Sequence, residues 1–149
     1  MIEIKHRYTG EVLHTVDADT LEEADLSGLN LENANLPNTN LSYANLENSN
    51  LENSNLFNSN LSYANLSNTN LSHARMSYAR LSYANLFYAN LSYANLSHTN
   101  LFYTDLSRTN LFYTNLSHAI GNGREAHSLQ ICLYPVVYTS ANVWIGCHT

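Results

Sequence analysis

The sequence predicts an all-β solenoid, and three observations carry that prediction. Leucine recurs at every fifth residue from Leu21 to Leu116, twenty positions of which Met76 alone departs. At the same spacing, the positions from Ala24 to Ala119 hold Ala, Ser or Thr except at Leu29, and Asn fills fifteen of the twenty places just before a centre. The exceptions there are Thr20, Asp25, Arg75, Arg80 and Asp105. Finally, 44% of the 149 residues are apolar, which separates this simple text from a disordered polar tract.

A period of five suits neither regular element. On an α-helix, at about 100° per residue, successive leucines would drift by about 140° and wrap the cylinder. On a strand, odd spacing would send them to alternate faces. All the leucines share one side only if the backbone turns a corner once per phrase, which makes the chain a coil with Leu and the small residue pointing to a common axis. The phrase repeats because each copy meets the same surroundings.

The elements follow in order. Residues 1–19 contain "IEIKHRYTGEVLHTV", which alternates loosely about Thr9-Gly10 and predicts a β-hairpin that caps the open end of the coil. Residues 20–119 are the repeat. Leu29 breaks the small-residue rule and predicts a swollen corner in the first coil. Beyond Ala119 the glycines of "IGNGREAHS" mark a loop, and "LQICLYPVVYTSANVWIGCH" reads as two or three strands of a small C-terminal β segment over 120–149.

The phrase A-[N/D]-L-[S/x]-x over about residues 20–119 resembles the pentapeptide-repeat family. That resemblance implies a right-handed quadrilateral β-helix, with four phrases to each square coil of twenty residues. Five coils stacked at the strand spacing would form a rod of about 24 Å. Tyr43, Tyr63, Tyr83 and Tyr103 recur at twenty, as do His98 and His118 in line with Tyr78. The flanks also resemble those of small phage and bacterial members.

Charge and composition narrow the function. The first sixty residues hold ten acids against Lys5 and Arg7, a sum of −8, whereas residues 61–149 hold Asp105 and Glu125 against four arginines, a sum of +2. Neither half has the basic stripe that phosphate backbones require, so direct nucleic-acid binding is not expected. No run is long enough to span a membrane and the N-terminus lacks a signal-peptide apolar region, so the expected location is cytoplasmic, or the virion if the chain is phage-encoded. Cys132 and Cys147 do not form a disulfide framework, and with His127 and His148 they match no zinc spacing. No phosphate-cradling glycine loop, nucleophile elbow or acid pair is present, and a Leu-filled interior leaves no room for a substrate; neither an enzyme, a cofactor nor a metal is expected.

Function must then lie on the outward letters. The place after Leu is Ser eleven times, Glu at 22, 32, 47 and 52, Phe at 57, 87, 102 and 112, and Pro37 once. Two after, early coils carry Asn and later ones Tyr or His, and the Asn side chains are expected to bond corner backbone and one another. The leading expectation is a structural or protein-interaction module, with another protein or a second copy as partner, binding through Tyr43, Tyr63, Tyr83, Tyr103, Phe87, Phe102 and Phe112. The family resemblance also implies an alternative, mimicry of DNA toward a gyrase-type topoisomerase, although the acids stop at Glu52 apart from Asp105 and Glu125. A third reading is glycan or surface binding through the Tyr column.

Overall fold

The computed structural model describes residues 1–121; the predicted C-terminal strands, Cys132, Cys147, His127 and His148 lie outside them. From residue 21 onward the backbone winds as a square helix of five coils, 21–40, 41–60, 61–80, 81–100 and 101–120. Parallel β-bridges join each residue before a centre to its equivalent twenty on, from Asp25 with Asn45 to Asn100 with Ile120. Side one carries Leu21 and its equivalents and side two carries Leu26 and its equivalents. Side three carries those of Leu31, and side four Leu36, Leu56, Met76, Leu96 and Leu116. The centres from Leu26 to Leu96 are buried and form one continuous core with the alanines two places before them.

The five-residue phrase satisfies its own backbone, as residues 60–64 show. The N–H of Asn60 donates to Thr39 O, one turn earlier along the chain, at 2.9 Å, while those of Leu61 and Tyr63 donate to Arg80 O and Ser82 O, one turn further on, at 2.7 and 2.9 Å. Ala64 N–H closes a turn onto Leu61 O at 3.1 Å. The fifth, Ser62 N–H, donates to the side-chain Oδ1 of Asn60 at 3.3 Å. Asn is therefore the preferred residue before each Leu because its amide oxygen caps the one donor that neither turn nor bridge can use.

Each corner also requires a positive φ two places after the Leu. Gly28 and nineteen non-glycine residues, from Glu23 to His118, lie at φ between 54° and 66°. The preceding residue keeps negative φ, which is the pattern of a type II turn, and Pro37 occupies the place where that turn favours proline. Pro37 needs no cap, having no N–H.

Small inner residues bond inward when hydroxylated. Thr69, Thr104, Thr109 and Thr114 donate to the leucine carbonyls of the previous coil at 2.7–2.8 Å, and Ser59 does so at 2.6 Å. Ser54 Oγ is buried without a partner among the described residues. Leu29 is only part-buried, and its corner closes at 3.4 Å, the longest of these turn bonds, as a larger side chain at an inner position demands.

The N-terminal hairpin pairs β1 (Ile2–His6) with β2 (Val12–Val16) about Gly10, at φ 76°, with a bulge after Ile4. β1 also pairs antiparallel with β3 (Ala34–Asn35) on the first coil, giving the order β2-β1-β3. Ile4 enters the core, with Ile2, Leu13 and Val16 packed beside it, so the hairpin covers the exposed end of the leucine column. Arg7 extends the attachment by donating from Nη1 to Asn53 O at 2.6 Å.

Candidate interaction surface

Outward side chains stand in columns because each coil repeats the corner of the one before. On side one the rings of Tyr43, Tyr63, Tyr83 and Tyr103 stack with centroids 4.8, 4.8 and 4.7 Å apart and planes within 11°. Each is about half exposed. The faces of Tyr63 and Tyr83 are covered by their neighbours, so what the column offers to solvent is a straight line of ring edges and hydroxyls. Sugar recognition by aromatic residues uses ring faces, and the stack occupies those.

The seven residues predicted as a site do not form one patch. Phe102 sits beside Tyr103 at 6.4 Å and belongs with the Tyr column. Phe87 lies on side two, edge-on to Tyr88 at 4.4 Å, and Phe112 on side three between Tyr93 and Tyr113, at 5.7 and 4.4 Å. A spacing of twenty separates them in the sequence itself, because 87 and 112 fall in different columns from 103.

Two further columns stand on sides three and four. His73, Tyr93 and Tyr113 stack at 5.0 and 5.3 Å, a column that the same period applied to His73 would have found. Tyr78, His98 and His118 stack at 4.6 and 4.8 Å, so the two imidazoles meet face to face. Arg108 donates to Tyr88 Oη at 2.6 Å and lies over that ring at 5.3 Å.

Asn ladders run along the edges between sides. Asn50, Asn70, Asn90 and Asn110 each donate to the amide oxygen one coil earlier, at 3.0, 3.1, 3.2 and 2.9 Å. The early glutamates join these ladders: Glu22 accepts from Asn40 and Ser42, Glu47 from Asn65 and Glu52 from Asn70. At the start of one ladder, Asp25 accepts from the hydroxyl and the N–H of Ser27 and from Asn45, which together hold its carboxyl below the ordinary value.

A model of pentapeptide repeats, in eight copies, matches residues 20–53, 54–87 and 89–120. The chain belongs to the pentapeptide-repeat family. Its square coil is accordingly the right-handed quadrilateral β-helix of that family. Among solved pentapeptide-repeat structures, alr5209 from Nostoc PCC 7120 is 30% identical over 71% of this chain and 74% of its own, with a TM-score of 0.46. Rfr23 from the cyanobacterium Cyanothece 51142 is 32% identical over 66% of this chain and 87% of its own, TM-score 0.32. HetL from Nostoc sp. strain PCC 7120, a pentapeptide-repeat protein involved in heterocyst differentiation regulation, is 29% identical over 66% of this chain at TM-score 0.37. The chain spans 60% of the length of HetL. No curated protein matches the chain.

Proposed function

We propose that the protein is a non-enzymatic interaction module whose partner, another protein or a second copy, docks on side one along Tyr43, Tyr63, Tyr83 and Tyr103, with Phe102 at the end of the line. The observation that carries this reading is the Tyr column itself. Its four rings are fixed by mutual stacking, so an edge-and-hydroxyl surface is presented without the entropy cost that ordering free side chains would impose on binding. Tyr is also the kind of residue that supplies hot spots.

The two competing readings have less support. Stacking removes the ring faces that a glycan would need. DNA mimicry asks for a negative charge about every 1.7 Å along the rod, whereas between residues 53 and 121 Asp105 is the single acid. The test is capture of partners from the native extract, with light scattering to reveal self-association, using the wild type, Tyr63→Ser/Tyr103→Ser on side one and Asn53→Ser on side three. A complex lost in the side-one variant and kept in the side-three variant is expected. A monomer that retains nothing, or a complex indifferent to the tyrosines, overturns the reading.

A further inference from the structure

Of the five positions where Asn gives way, Thr20 opens the repeat and Asp25 and Asp105 still cap the corner N–H with a carboxylate oxygen; Arg75 and Arg80, both on the third coil, offer no such acceptor. Arg75 and Arg80 stand where Asn caps the corner N–H and bonds its neighbours in the ladder. On side four's two edges the ladders are interrupted there: Asn55 donates to Asn35, and Asn60 to Asn40, each at 3.1 Å, arginine replaces the amide one coil later, and beyond Arg75 the ladder resumes with Asn115 donating to Asn95 at 3.2 Å. The corner donors Ser77 N–H and Ser82 N–H, which an Asn at 75 and 80 would cap, find no partner among the described residues. Nor does either guanidinium, and both arginines are exposed. Arg108 differs, being engaged with Tyr88. A local rule broken twice on one coil, with bonds lost and none gained inside the molecule, is the pattern expected of residues kept for binding.

Their setting supplies the chemistry. Between them stands Tyr78, fixed by the stack with His98 at 4.6 Å and by the edge of Phe57 at 5.7 Å. Side four, from 35–40 through 115–120, carries no acid in any coil, whereas Glu22, Glu23, Asp25, Glu47, Glu32, Glu52 and Asp105 are spread over the other three. The −8 of the first sixty residues repels an anionic partner from the N-terminal end and directs it to these coils.

We infer that side four, at Arg75, Tyr78, Arg80 and His98, is a second docking surface, and that its occupant is an acidic, carboxylate-bearing protein segment. Charge complementarity selects the segment, and two arginines at the edges of one side, separated by a fixed aromatic post, suit several carboxylates spread along a chain. Exposed ion pairs are weak singly, so binding rests on both arginines together and weakens with salt. This surface is independent of the Tyr column on side one, and either can fail without the other.

The experiment is a fluorescence-anisotropy titration with a labelled short oligoglutamate peptide, at low and high salt. Wild type is compared with Arg75→Asn/Arg80→Asn and with Arg108→Asn, and each is also thermally unfolded. The double variant restores both ladders, so its Tm is expected to match or exceed that of wild type while its affinity falls by about tenfold or more. Arg108→Asn should stay within about twofold in affinity. Four results would overturn the inference: no measurable binding by wild type, unchanged affinity in the double variant, a lower Tm in the double variant, or inorganic phosphate displacing the peptide as effectively as unlabelled peptide does. Salt-sensitive self-association in sedimentation that disappears in the double variant would assign the surface to a second copy and overturn it equally.

Discussion

The first two coils and the last three share one backbone but meet its demands differently. Every corner requires a positive φ. In residues 21–60 the position is held mostly by Asn or Gly, which adopt that conformation at little cost; in residues 61–120 it is held mostly by Tyr or His, for which it is strained by about 1 kcal/mol. The later coils offset the strain sideways, since a ring at a corner meets the ring of the next coil at 4.6–5.3 Å. The comparison teaches that backbone strain and surface character are one choice here. A wall of Asn is conformationally easy, while a wall of Tyr is strained and stiffened by stacking.

Three measurements test this contrast. The largest effect should ignore it. Leu46→Ala in the second coil and Leu86→Ala in the fourth should each cost about 2–5 kcal/mol in urea unfolding, because both leucines are fully buried. A difference of more than about 2 kcal/mol between them would show that the two regions differ inside as well as outside.

The corners should separate the regions at intermediate size. Tyr63→Ala keeps the strain and loses both stacks, a cost of about 2 kcal/mol, and Tyr63→Gly should recover about half by relieving φ. Asn53→Gly, with no ring to lose, should be neutral or slightly stabilising. If Tyr63→Gly proved more stable than wild type, stacking would not be what offsets strain in the later coils.

The smallest effect concerns Asp25 and belongs to the first coil. Its folded carboxyl is held below the ordinary value, chiefly by the Ser27 hydroxyl, so it contributes stability above the unfolded carboxylate range and loses it as pH falls through the lower, folded value. Carboxyl NMR titration should place Asp25 below a free Asp, and Asp25→Asn should flatten stability across that acid window. An Asp25 titrating at the ordinary value would show that the Ser27 and Asn45 bonds do not persist in solution.

Much of the fold was legible in the sequence because one phrase, repeated, determines one environment. The period of five and the inward Leu gave the coil, Thr9-Gly10 gave the hairpin turn, and Leu29 gave the loose corner. The period of twenty then aligned Tyr43 with Tyr103 and His98 with His118. What composition could not show was that all twenty corners share a positive φ, since Asn, Tyr and His at one position suggest no common conformation. Phe87 and Phe112 stand on sides two and three, away from the Tyr column, because proximity in the chain is not proximity on the rod. Arg75 and Arg80 were visible as exceptions to Asn, but their meaning needed the hydrogen bonds that Asn makes elsewhere.

The bridges between residues twenty apart have a consequence for how such a chain can change length. Inserting twenty residues would lengthen the rod by one storey and leave every later side chain facing its old direction. Inserting five would rotate everything after it by a quarter turn, moving the later tyrosines off the Tyr43 line and carrying Arg75 and Arg80 around to a different wall. The repeat thus works as an angular index. Small insertions reorient the outer side-chain columns relative to one another without disturbing the leucines that hold the rod together.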